Sequence, residues 1–92
     1  MFWVYGIKSE SSGRIYIGQT SNLETRMKQH SAGKVLSTQN DCPWSLVALK
    51  GFETRREARW LEFQLKKSRG RRLKWIRENA NGLRAGGGKK KI

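Results

Sequence analysis

Two short runs of β-branched and aromatic residues, Trp3-Val4-Tyr5-Gly6 and Arg14-Ile15-Tyr16-Ile17-Gly18, stand close together near the start of the chain. Residues of this kind favour the pleated, half-buried surface of a sheet. Between the runs lies a polar stretch, residues 9–13, that ends in the turn signal Ser12-Gly13. The spacing predicts an antiparallel hairpin with strands at 2–8 and 14–18, carrying one phenol on each strand. Side chains alternate along a strand, so Tyr5 and Tyr16 share a face only in a suitable register, which sequence does not determine.

Beyond the hairpin, Ser21 or Asn22 offers an N-cap, and residues 23–31 run without Gly or Pro until Gly33. On that helix Leu23 and Met27 lie one turn apart and face the core. Arg26 and His30, also four apart, form an adjacent stripe and can act on one object together. The connection at 33–43 carries Lys34, Ser37, Thr38, Gln39 and Asn40, a candidate phosphate-touching loop. Residues 44–50 read as a third strand, with Leu46, Val47, Ala48 and Leu49 suggesting burial on both faces. Thr54-Arg55-Arg56-Glu57 has the capping-box pattern and predicts a helix over 55–67. Its inward stripe is Ala58, Leu61 and Leu65, which leaves Glu62 at the edge of the apolar face. Gly70 reads as an interruption, after which Leu73, Trp75 and Ile76 mark a last short helix that packs back on the core through these residues. Residues 1–79 thus form one domain, and 80–92, rich in Asn, Gly and Lys, read as a basic tail without order.

A chain of 92 residues has room for one small core and no second folding unit. Its 20 Lys and Arg against 7 Asp and Glu give a formal charge of +13. That is far more than solubility requires, and it points to a polyanionic partner. Discounting Lys89, Lys90 and Lys91 still leaves about +10, so nucleic acid is the leading candidate and a membrane surface is not expected. The single Cys42 excludes an intramolecular disulfide framework and a thiolate metal cage. Neither signal-peptide order nor an apolar run near the ~20 residues of a membrane span is present, so a soluble cytoplasmic protein is expected.

The order Val4-Tyr5, Tyr16-Ile17-Gly18-Gln19-Thr20, Asn22-Leu23, Arg26, His30, Gly33 and Glu62, with Pro43-Trp44-Ser45-Leu46-Val47 between, resembles the GIY-YIG nuclease domain over roughly residues 2–70. The likeness is nearest to the small single-domain bacterial members related to the N-terminal nuclease module of the excision-repair protein UvrC. The first triplet reads Trp3-Val4-Tyr5 and keeps only the tyrosine, whereas the second is intact. The resemblance implies a compact α/β (α+β) fold, a three-stranded antiparallel sheet flanked by helices in the order β-β-α-β-α-α. It implies a divalent-metal-dependent endonuclease. It also matches Tyr5 to the tyrosine assigned as base, Tyr16 to the one that orients water or phosphate, and His30 to a residue assisting near that proton. Gln19 stands where some relatives carry Lys. An Asn that some relatives place beyond the metal-binding Glu has no counterpart here, because Lys74 occupies that position.

Residue chemistry supplies a parallel argument. In-line attack of water on a phosphodiester needs cations and donors already in place where charge develops. One carboxylate, Glu62, suffices to hold Mg2+ or Mn2+ that keeps most of its waters. The planar fork of Arg26 can take two phosphate oxygens at once, which Lys cannot imitate. Tyr5, Tyr16 and His30 remain the candidates for deprotonating water. Gln19, Lys34 and Lys66 are further candidates for touching DNA, whether branched, damaged or single-stranded. Taken alone, each residue has a plainer role: either tyrosine packs in a hairpin, His30 meets a helix C-terminus, and Glu62 pairs with Lys66. A basic nucleic-acid-binding module with little turnover, possessing the same fold and targeted by a protein partner, is the alternative function.

Overall fold

The computed structural model describes residues 1–80 and the backbone of 90 and 91. Its elements are β1 (Phe2–Ser9), β2 (Ile15–Thr20), α1 (Leu23–Ser31), a 3-10 turn at Gln39–Asp41, β3 (Trp44–Phe52), α2 (Arg55–Lys67), α3 (Arg69–Asn79) and the two-residue β4 (Lys90–Lys91). The sheet is antiparallel in the order β2-β1-β3, and β4 adds to the far side of β3 by pairing Lys90 with Leu46 and Lys91 with Ser45. The rest of the tail expected to lack order, residues 81–89 and 92, lies outside the described residues. Among the described residues no helix is long and apolar enough to cross a membrane.

Gly13, at φ +77°, makes the hairpin turn in a conformation that side chains with a Cβ rarely adopt. Pairing of Tyr5 with Gly18 and Ile7 with Tyr16 sets both phenols diagonally on one face. On β3 the register shifts: Gly6 pairs with Ala48 but Ile7 with Leu46, leaving Val47 as an extra residue. This bulge shifts the alternation by one, so that Leu46 and Ala48, two residues apart, face opposite sides of the sheet. Hence Leu46 and Trp44 join Tyr5, Ile7 and Met27 of α1 in one core layer. Ala48 joins Val4, Ile17 and the Ala58, Leu65 and Trp75 side chains of α2 and α3 in the other. The sheet is covered by α1 on one face and by α2 and α3 on the other, and buries apolar residues on both.

Asn22 caps α1, its Oδ1 accepting from the Thr25 N–H at 3.1 Å. Thr54 caps α2 by accepting from the Glu57 N–H at 3.3 Å, while its hydroxyl donates to Glu57 Oε1 at 2.8 Å. Two expectations about the C-terminal helix change. Gly70 does not interrupt; it sits in the first turn of α3, and the break falls at Ser68, whose backbone is extended (φ −142°, ψ 122°). The reason is capping: Ser68 Oγ accepts from the Arg71 N–H at 3.3 Å and so starts a new helix where the old one stops. Leu73, expected inward, is exposed, because Trp75 and half-buried Ile76 fill the inner side of α3.

Candidate active site

Tyr5 lies on the central strand, paired on both sides, and has no exposed surface. Its ring crosses the backbone of Gly18 so closely that a Cβ there would stand 2.5 Å from the Tyr5 Cζ and nearer still to Oη. The glycine that closes Tyr16-Ile17-Gly18 is therefore the seat of the other strand's phenol. Over this seat α1 brings Arg26 and His30 from one helical face. Arg26 Nε donates to Tyr5 Oη at 3.4 Å, and Tyr5 Oη lies 2.8 Å from His30 Nε2. On its far side His30 Nδ1 lies 2.8 Å from Thr38 Oγ1, and the Thr38 hydroxyl donates to the Val35 carbonyl at 3.3 Å. With its one hydrogen given to Val35, Thr38 accepts from His30 Nδ1–H. Nε2 is then the bare nitrogen and Tyr5 donates to it. The chain of donors runs from Arg26 through Tyr5 and His30 to Thr38 and ends on a backbone carbonyl.

Burial shapes the acidity of this chain. Desolvation pushes the Tyr5 phenol up to about 12; Arg26 opposes the rise, while Tyr16 and the Glu62 carboxylate add to it. His30, enclosed and facing the Arg26 cation, is pushed down to about 4 and is neutral at physiological pH. Arg26 is held still more firmly protonated by its bond to Tyr5.

Tyr16 completes the cluster, with its ring centroid 5.4 Å from His30 and 6.5 Å from Tyr5. It is half-buried, because β2 is the edge strand. From the opposite face of the sheet α2 reaches around this edge: Lys66 Nζ stands 5.3 Å over the Tyr16 ring and 3.1 Å from Glu62 Oε2. Glu62 thus comes to the same edge as the phenols, with its side chain 22% exposed. Its ion pair with Lys66 is also the plain surface pairing expected of residues four apart. Among the described residues no three His, Cys, Asp or Glu side chains gather into a metal-binding group.

Beside Arg26 opens a polar cleft of about 270 Å³, lined by Gln19, Thr20, Asn22, Gln29 and Arg55 among others. Gln19 belongs here, its enclosed Oε1 without a hydrogen-bond partner among the described residues. Lys34 is exposed just beyond α1, and among the described residues its side chain makes no hydrogen bond or ion pair to the cluster. Thr38, expected on a phosphate-touching loop, is fully buried and orients His30 instead. Asn79 donates to the Trp75 carbonyl at 2.9 Å and so serves its own helix end.

Two contributors carry no site role in the sequence reading, and a third, Thr38, takes a different role from the one expected. Gln29, whose Oε1 accepts from Arg26 Nη1 at 3.1 Å, was signalled by its position three residues after Arg26. Arg55 was hidden in a capping pattern. Nothing in sequence marks Thr38 as the partner of His30, because the contact depends on how the loop folds back.

This arrangement defines a class: a small α+β domain with two phenols, a guanidinium and an imidazole on one sheet face and a carboxylate at its edge. The chain belongs to the GIY-YIG catalytic domain family, whose profile matches residues 1–75. Its relatives include a UPF0213 protein of Clostridium perfringens, 37% identical over 78 residues that cover 83% of each chain. Another, from Staphylococcus haemolyticus, is 36% identical over 78 residues, 83% of this chain and 94% of that protein. No solved structure matches. Membership supports a nuclease-type function acting on nucleic acid.

Proposed function

We propose that the protein is a divalent-metal-dependent endonuclease that hydrolyses phosphodiester bonds of DNA with little sequence preference. The observation carrying this reading is the convergence at one sheet edge of the Arg26–Tyr5–His30 chain, the Tyr16 ring and the Glu62 carboxylate. Arg26, held through Nε and Nη1 by Tyr5 and Gln29, keeps its remaining N–H donors for the scissile phosphate. Tyr5 and His30 are enclosed and act by positioning that guanidinium. Tyr16 is the phenol that solvent reaches, and we assign it to orienting the attacking water by a hydrogen bond.

Glu62 fits a hard cation such as Mg2+ or Mn2+, since a lone carboxylate at an open edge leaves room for waters and phosphate oxygens as the other ligands. Bound there, the ion supplies positive charge against the charge that develops on the phosphate. Lys66 releases Glu62 and turns to a phosphate oxygen as substrate binds. Specificity comes from DNA shape or from a protein partner.

Supercoiled plasmid incubated with Mg2+ or Mn2+ is expected to be nicked by the native protein. Glu62→Gln and Arg26→Lys should each lower the rate by roughly a hundredfold or more. Tyr16→Phe should lower kcat with DNA affinity retained, whereas Tyr5→Phe, which releases Arg26, should raise KM as well. The Lys66–Glu62 ion pair favours a second reading, a basic binding module with little turnover. That reading prevails when neither ion supports nicking and the purified protein still shifts DNA on a gel.

A further inference from the structure

The outer face of α2 carries two aromatic rings that the core does not use. Trp60 is 64% exposed and Phe63 52% exposed. They sit three residues apart on one helical face with ring centroids 6.3 Å apart and planes tilted by 35°. Lys67 Nζ lies 4.4 Å over the Phe63 ring. Arg56 precedes Trp60 by four residues and Arg59 precedes Phe63 by four, so both border the rings; both are exposed, and neither pairs with a carboxylate among the described residues. Burying aromatic area is worth most where water is excluded, so two adjacent rings left in water mark a surface that something covers.

We propose that Trp60 and Phe63 form a stacking platform for unpaired bases of a single-stranded segment, with Arg56, Arg59 and Lys67 on its phosphates. The substrate class follows: DNA with a single-stranded flap, gap or branch next to the bond that is cut. The inference rests on the nuclease reading and adds a second contact region to it. Charge decides the occupant. A cation-bordered ring pair suits a ligand that alternates flat π faces with anions, which is the structure of a single strand. Placement agrees. Lys66, which touches Tyr16, lies three residues from Phe63 on the neighbouring row of the same helix, so the cationic track is continuous from the cluster to the platform.

The test measures binding, in EDTA, of a fluorescein-labelled oligo-dT about twelve nucleotides long, a length within known single-strand site sizes, and of a duplex of equal length. Trp60→Leu/Phe63→Leu keeps apolar area and removes the π faces. It should weaken oligo-dT binding about tenfold or more, with duplex affinity changed less than twofold and Trp60→Phe close to native. Unchanged oligo-dT binding, or equal loss on both probes, overturns the platform while native plasmid nicking leaves the nuclease reading standing. Native protein that binds neither probe overturns both. Loss of self-association, or of binding to anionic phospholipid vesicles, with oligo-dT binding intact assigns the rings to another occupant and also overturns the proposal. The exposed positions allow thermal melting to verify that each variant folds.

Discussion

Acidification should destabilise this protein through His30, and the size of the effect follows from its surroundings. The imidazole is fully enclosed, and it faces Arg26, Tyr5, Tyr16 and Thr38. None of these is a carboxylate. Its pKa falls from 6.5 to about 4, so between those values the unfolded chain binds a proton that the folded chain refuses. Stability therefore rises with pH across that window and is lost as pH falls through it. From pH 7 to pH 5 the loss is about 2 kcal/mol, and it approaches ~3 kcal/mol near pH 4. His30 is the sole histidine, and ordinary carboxylates titrate below this range, so the slope from pH 7 to 5 belongs to one group. In urea the midpoint should fall by about 1 to 2 M over those two pH units for a domain of this size. His30→Gln should be less stable at pH 7 but flat down to pH 5. A native midpoint unchanged between pH 7 and 5, or a variant that keeps the native slope, refutes the assignment of His30 as a buried neutral acceptor.

Thr38→Val leaves the His30 Nδ1–H without its acceptor and should cost ~1–3 kcal/mol in urea unfolding, with Thr38→Ser restoring most of it. Gly18→Ala drives a methyl group into the Tyr5 ring, so the melting temperature should fall and nicking should be lost together, while plasmid binding by the exposed cations persists; full activity in this variant would refute the seat described for Tyr5. Lys66→Gln removes the cation paired with Glu62 and should tighten Mn2+ binding measured by calorimetry, whereas Glu62→Gln should abolish it; indifference of Mn2+ to both changes places the ion elsewhere. Gel-shift affinity of the native protein should fall steeply between low and physiological salt, as binding by many Lys and Arg contacts requires.

The sequence was legible wherever local chemistry decides. The hairpin, α1 and α2 stand where Ser12-Gly13, Asn22 and Thr54 put their boundaries, because turn and cap residues act on their immediate backbone. Arg26 and His30 meet on one phenol because helical spacing carries that information. What escaped depends on long-range placement. Competition between Ser68 and Gly70 for the helix break is settled by which residue can cap. Thr38 looked like any polar loop residue until the loop folded its hydroxyl against His30. The burial of Tyr5 was hidden as well, since nothing in Trp3-Val4-Tyr5-Gly6 says that its strand takes the centre of the sheet.

Tyr5 and Tyr16 occupy near-equivalent sequence contexts, yet β1 is paired on both sides, whereas among the described residues β2 pairs only with β1. An edge strand is a hazard, because its unpaired backbone invites other strands. Here the edge lies under Lys66 and beside the Arg26 and Arg55 cleft, so cations repel a second copy of this basic chain and attract a polyanion instead. At this edge side chains from α1 on one face and α2 on the other can meet without passing through the core. A phosphodiester laid along β2 would find Arg26 from one face and Glu62 from the other, with Tyr16 between them. In the proposed mechanism, position in the sheet divides the labour of the two phenols: the central one is closed off and orders the guanidinium, and the marginal one is left with access to water.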